Sequence, residues 1–161
     1  MVELVSDVYT KQELVLKRCN IDRPESFEIA NTEIKMLQKF KGPYVVSLID
    51  SCIFQKTKTT REALLLMEYY PGDHLLNRLL QRNNVHLPAD SVYRMFGQLC
   101  MGVKEMHLSR PPIVHRDLKL ENVLFGQVNK ALNITAPLFT PLKSDALFCT
   151  VFIVGWKSAH L

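Results

Sequence analysis

From Ile113 to Leu124 the chain reads Ile-Val-His-Arg-Asp-Leu-Lys-Leu-Glu-Asn-Val-Leu. Asp117 stands two residues before Lys119 and five before Asn122. An aspartate beside a substrate hydroxyl can accept its proton, and an asparagine on the same loop can hold a magnesium ion. Both groups must reach one point, which requires a rigid turn. Apolar, strand-like segments at 112–114 and 123–125 flank the loop and supply that frame. A merely charged loop would not carry matched apolar residues on both sides.

The preceding residues read as the elements that position this loop. Strands are predicted over 2–5 and 14–18 with a polar turn over 7–12, alternate residues facing opposite ways. Lys17 ends the second strand. Asp22, Arg23, Pro24 and Glu25 have helix-start chemistry, and Phe27, Ala30, Ile34 and Leu37 then recur at helical spacing. Glu33 lies on that helix. Gly42-Pro43 breaks the chain, and apolar strands over 45–54 and 63–69 follow, joined by the polar loop 55–62 as a hairpin. The expectation is a small antiparallel sheet with one helix laid on it. Met67 closes the buried run; taken alone, a methionine there is core filler. Glu68-Tyr69-Tyr70-Pro71-Gly72 is a connector. A short helix over 73–82 ends at Asn83-Asn84, and a longer one opens at Pro88-Ala89-Asp90. Its stripe of Val92, Met95, Phe96, Leu99, Val103 and Met106 predicts an amphipathic helix with its methionines in the core. Arg110-Pro111-Pro112 turns the chain into the loop.

At 161 residues, 47% hydrophobic and 22% charged, the chain has the composition of one soluble domain. The net charge of +4 is scattered: Lys35, Lys39 and Lys41 follow one helix, and Lys56, Lys58 and Arg61 sit in a loop. Both groups read as solvated faces, so no nucleic acid is expected. Cys19, Cys52, Cys100 and Cys149 form no Cys-x-x-Cys pair and read as reduced thiols of a cytoplasmic protein. Residues 1–7 lack the pattern of a secretory signal. After Gln127 the character changes: residues 128–161 carry Pro137, Pro141, little charge and an apolar run over 146–156. That run is half of the roughly 20 residues a membrane helix needs, so no span is expected. Without a secretory signal, the acceptor-like Asn133-Ile134-Thr135 carries no meaning.

Residues 2–127 resemble the serine/threonine protein kinase domain, from its second strand through its catalytic loop. Within it the chain is most similar to the Numb-associated kinases, the group containing the adaptor-associated and cyclin-G-associated kinases. Pro111-Pro112-Ile113-Val114, Ser47-Leu48-Ile49-Asp50-Ser51-Cys52-Ile53 and Met67-Glu68-Tyr69-Tyr70 carry that likeness. The fold implied is α+β: a partial kinase-like fold with a small antiparallel-sheet N-lobe, one helix, and the first helices of an α-rich C-lobe. The implied division is a partial kinase domain over 1–127 and a non-homologous, disordered tail over 128–161. The resemblance makes Asp117 the catalytic base, Lys119 the contact to the transferring phosphate, and Asn122 a magnesium ligand. It makes Lys17 the clamp on the ATP phosphates and Glu33 its partner. Met67 becomes the gatekeeper, Val2, Val15 and Leu124 sandwich adenine, and the backbone of residues 68–70 bonds its edge. The implied cofactors are ATP and Mg2+. Protein substrates are implied, clathrin-adaptor and other endocytic proteins for this subfamily.

The sequence also departs from the family pattern. The glycine-rich loop would precede Val2, and Val15 stands where the family has alanine. No Asp-Phe-Gly or Ala-Pro-Glu follows Gln127. The expectation is therefore a truncated or mis-spliced kinase product that is inactive alone and binds Mg·ATP weakly. The alternatives are an inactive kinase-like binding module and a product without function.

Overall fold

The computed structural model describes residues 1–83, 85–127 and 149–153. The expected helix stop at Asn84, the Asn133-Ile134-Thr135 sequence and all of the expected tail except 149–153 lie outside the described residues.

The first half is a four-stranded antiparallel sheet in the order β1-β2-β4-β3, from β1 (Val2–Ser6), β2 (Glu13–Asn20), β3 (Leu48–Gln55) and β4 (Arg61–Glu68). Its central strand β4 alternates as a half-buried strand must, with Ala63, Leu65 and Met67 in the core. Helix α1 (Pro24–Lys39) begins with Pro24 in its first turn, where a missing N–H costs nothing, and carries Glu25 and Lys39 at the ends that suit its dipole. Its buried residues Ala30, Glu33, Ile34 and Leu37 form one face against the sheet. The hairpin is tighter than the sequence indicates. β3 and β4 extend to Gln55 and Arg61, and the Lys56 N–H closes the turn on the Thr60 carbonyl at 2.8 Å.

The second half holds α2 (Leu75–Leu80), α3 (Ala89–Leu108), a single 3-10 turn (Leu120–Asn122), β5 (Val123–Gln127) and β6 (Cys149–Ile153). One core unites the halves: Met106 and Ile113 pack with Val45, Val46, Ile34 and Leu65. The α3 stripe is only partly enclosed. Met106 is fully buried, whereas Val92 and Phe96 are 43% and 66% exposed.

Strand β6 corrects one expectation. The whole of 128–161 reads as a structureless tail, yet Cys149–Ile153 runs antiparallel to β5, with Val123 opposite Ile153. The Ile153 N–H donates to the Tyr44 carbonyl at 2.9 Å, and its side chain is fully buried in the main core. An apolar run without period hides such a strand, because its partner is set by distant residues.

Candidate active site

The loop that carries Asp117 is held from both sides. Ile113 is buried and its N–H bonds the Met106 carbonyl at 3.0 Å, tying the loop's entry to the end of α3. His115 is buried, and its Nδ1 accepts the Asp117 N–H at 3.2 Å. Between them Arg116 adopts φ 64°, a left-handed conformation that costs a non-glycine residue about 1–3 kcal/mol. That turn sends His115 inward while Asp117 swings back towards the surface. On the exit side the Asn122 amide donates to the Asp117 carbonyl at 2.7 Å and to its Oδ2 at 3.0 Å. Lys119 Nζ lies 3.6 Å from the same Oδ2. Asp117, Lys119 and Asn122 therefore converge as their spacing indicates.

Donation by its nitrogen leaves the Asn122 side-chain oxygen as a hard donor beside the Asp117 carboxylate. Among the described residues no group of three or more His, Cys, Asp or Glu side chains forms a metal cage. Magnesium commonly keeps several waters and binds through one or two protein groups plus substrate phosphates. The donor set fits a cation of that kind, one that arrives with a nucleotide.

Across the site, Lys17 on β2 reaches Glu33 on α1, with Nζ at 2.7 and 2.6 Å from the two carboxylate oxygens. The Glu33 side chain is 5% exposed and that of Lys17 28%. A carboxylate so deep requires its cation, and the pair fixes the lysine's direction. The register puts further site residues on one face. Val2 lies opposite Lys17, Leu4 opposite Val15, and Val15 opposite Met67, and directly opposed residues of antiparallel strands share a face. Val15 is partly buried against the main core, so its added methyl groups, relative to alanine, are absorbed there. Val2 is 64% exposed on the edge strand, Met67 is buried, and Leu124 is partly buried against the same core.

The connector after β4 joins these two walls. The Gly72 N–H bonds the Phe125 carbonyl at 3.0 Å, and the Phe125 N–H bonds the Asp73 carbonyl at the same distance. A Cβ at Gly72 would collide with the Phe125 carbonyl, so the close approach demands glycine. Glu68 is anchored at the other end, its N–H on the Ser47 carbonyl at 3.2 Å. Between the anchors the Tyr70 hydroxyl donates to Glu68 Oε2 at 2.6 Å. Burial pushes the Tyr70 phenol well above its ordinary range and the Glu68 carboxylate adds to the rise, while hydrogen bonding from Ser47 offsets part of it. The bond between the side chains of Tyr70 and Glu68 has no sequence signature. Nor does Lys39, whose Nζ donates to the Arg110 carbonyl at 3.0 Å and ties α1 to the turn before the loop.

The described residues thus hold an ion-paired lysine on the sheet and a braced aspartate loop. The sequence pattern of the protein kinase domain matches residues 1–135, and the chain belongs to that family. It is similar to a Dictyostelium discoideum protein named as a probable serine/threonine-protein kinase, 35% identical over 127 residues, 77% of this chain and 16% of that protein. It is also similar to the serine/threonine-protein kinase ppk30 of Schizosaccharomyces pombe, 32% identical over 117 residues, 71% of this chain and 12% of that protein. The protein kinase domain-containing protein ppk38 of the same yeast is 31% identical over 130 residues, 80% of this chain and 20% of that protein. The chain thus spans a fifth or less of the length of these relatives. The family in general uses ATP and Mg2+ and acts on proteins. No helix among the described residues is long and apolar enough to cross a membrane.

Proposed function

We propose that residues 1–127 form the nucleotide-clamping and catalytic-loop part of a cytoplasmic serine/threonine kinase of the Numb-associated kind, acting on endocytic adaptor proteins. The subfamily and its substrates rest on the wording of residues 47–53, 67–70 and 111–114. ATP supplies the phosphoryl group, and Mg2+ offsets charge on its phosphates. Lys17, aimed by Glu33, holds the phosphates. Val2, Val15, Met67 and Leu124 enclose adenine, and the backbone of 68–70 bonds its edge. Asp117 accepts the proton of the substrate hydroxyl, Lys119 contacts the transferring phosphate, and Asn122 offers its oxygen to the metal.

The observation that carries this reading is the Asn122–Asp117 pair: one amide fixes the aspartate at two points, its carbonyl and its Oδ2. Within this reading the 161-residue chain by itself binds nucleotide weakly, and phosphoryl transfer belongs to the whole protein. The test is transfer of labelled γ-phosphate to serine and threonine peptides by the whole protein, compared with its Asp117→Asn form. Loss of a positioned general base costs about 10²–10⁴-fold in rate. Equal turnover by the two proteins would end the assignment.

A further inference from the structure

The connector is fixed at Glu68 by Ser47 and at Gly72 by Phe125, with Tyr69, Tyr70 and Pro71 bridging the two. Three residues between anchors retain freedom to rock unless something holds the middle. Tyr70 sits at that middle. Its ring packs on the main core and its hydroxyl bonds Glu68 Oε2 at 2.6 Å. An ionised carboxylate accepts only, so this is a short charge-assisted bond with one possible donor. Ser47, just before β3, holds the Glu68 N–H on its carbonyl. One cluster therefore joins the foot of β3, the end of β4 and the connector.

We propose that Tyr70 is a positioning residue for the nucleotide: its hydroxyl, through Glu68 and Ser47, latches the connector so that the backbone of residues 68–70 meets adenine in one fixed geometry. The inference rests on the reading of the connector as the adenine-binding segment. The latch acts by preorganisation. A connector that samples other shapes binds with its intrinsic affinity reduced by the fraction in the competent shape. The effect falls on the base and its sugar, common to adenosine and ATP, and leaves the Lys17 contact to phosphate untouched.

The experiment measures adenosine and ATP binding by calorimetry on the whole protein and its variants, with thermal midpoints recorded alongside. Tyr70→Phe removes one oxygen and keeps the packed ring. It is expected to weaken adenosine and ATP equally, by about fivefold to tenfold. Glu68→Gln still accepts the Tyr70 hydroxyl through its amide oxygen and is expected to retain most of the affinity. Lys17→Met is expected to weaken ATP and spare adenosine. Hydrogen exchange on the unliganded chain gives a second readout: the amides of Tyr69 and Tyr70 should exchange faster in Tyr70→Phe, while those of β2 and β4 hold. Adenosine bound by the whole protein with unchanged affinity in Tyr70→Phe would overturn the latch and leave the kinase reading standing. Failure of the whole protein to bind either ligand would overturn both. A Tyr70→Phe loss confined to ATP would also sink the latch, since it would place the effect on phosphate.

Discussion

A carboxylate buried as deeply as Glu33 is stable only beside a cation, and Lys17 supplies it with both oxygens engaged. Removing one partner of such a pair is worse than removing both, because the survivor is stranded away from water. Lys17→Met should therefore lower stability by about 3 kcal/mol in urea unfolding, the lower end of the range because the lysine is partly solvated. The double variant Lys17→Met/Glu33→Leu should recover much of that loss; a double variant as unstable as the single would show that packing dominates. Glu62 makes the opposite kind of cluster, nearer the surface. Hydrogen bonds from Lys56 and then Arg18 hold its carboxyl below the ordinary 4.5. As pH falls the unfolded chain takes up this proton first, so the stability it contributes is full above 4.5 and is lost as pH drops through the depressed folded value. Glu62→Gln should be less stable than the parent at neutral pH, and their thermal midpoints should converge in strong acid. A constant gap across that range would refute the linkage. Asp117, Lys119 and Asn122 were legible in the sequence because their geometry is local, six residues around one turn. Lys17 and Glu33 were legible only through the resemblance, and Tyr70–Glu68 was not, since its meaning depends on Ser47 across the sheet.

Among the elements, those with a period declared themselves. β2, β4 and α1 alternate or repeat as a half-buried strand or a surface helix must, and their centres fall where the pattern puts them. β6 has no period, and it lies far along the chain from its partner β5. What makes it a strand is the slot between β5 and Tyr44, where Val46 N–H also bonds the Ile153 carbonyl at 3.3 Å. Gly102 on α3 completes the slot: a Cβ there would press on the Ile153 side chain at 3.0 Å. Ile153→Ala should then empty a fully enclosed site and cost about 2–4 kcal/mol by urea unfolding, as large-to-small changes in cores do. A loss under about 0.5 kcal/mol, the scatter of surface substitutions, would mean that β6 does not belong to the core.

At the scale of the molecule, the enclosed core sits between the lobes, and the outer flank of α3 is left apolar. A groove of about 820 Å³ runs along it, with Phe96, Leu99, Val103, Leu118 and Leu120 among its walls and Lys104 and His107 at its rim. Phe96 and Leu108 on this flank are 66% and 70% exposed. The helical stripe was readable from spacing, but its exposure was not, because a periodic pattern reports which residues want burial and not whether anything covers them. Contiguous apolar surface of this kind binds hydrophobic dyes and promotes association in water. Phe96→Glu removes the largest exposed ring from the groove without touching the core. It should cut the fluorescence of bound anilinonaphthalene sulfonate and lower the apparent mass in light scattering at high protein concentration. The thermal midpoint should move by less than about 3 °C, because an exposed substitution changes stability by only about 0.5 kcal/mol. Unchanged dye binding together with a large drop in midpoint would show that Phe96 is enclosed in solution and that the groove is not open.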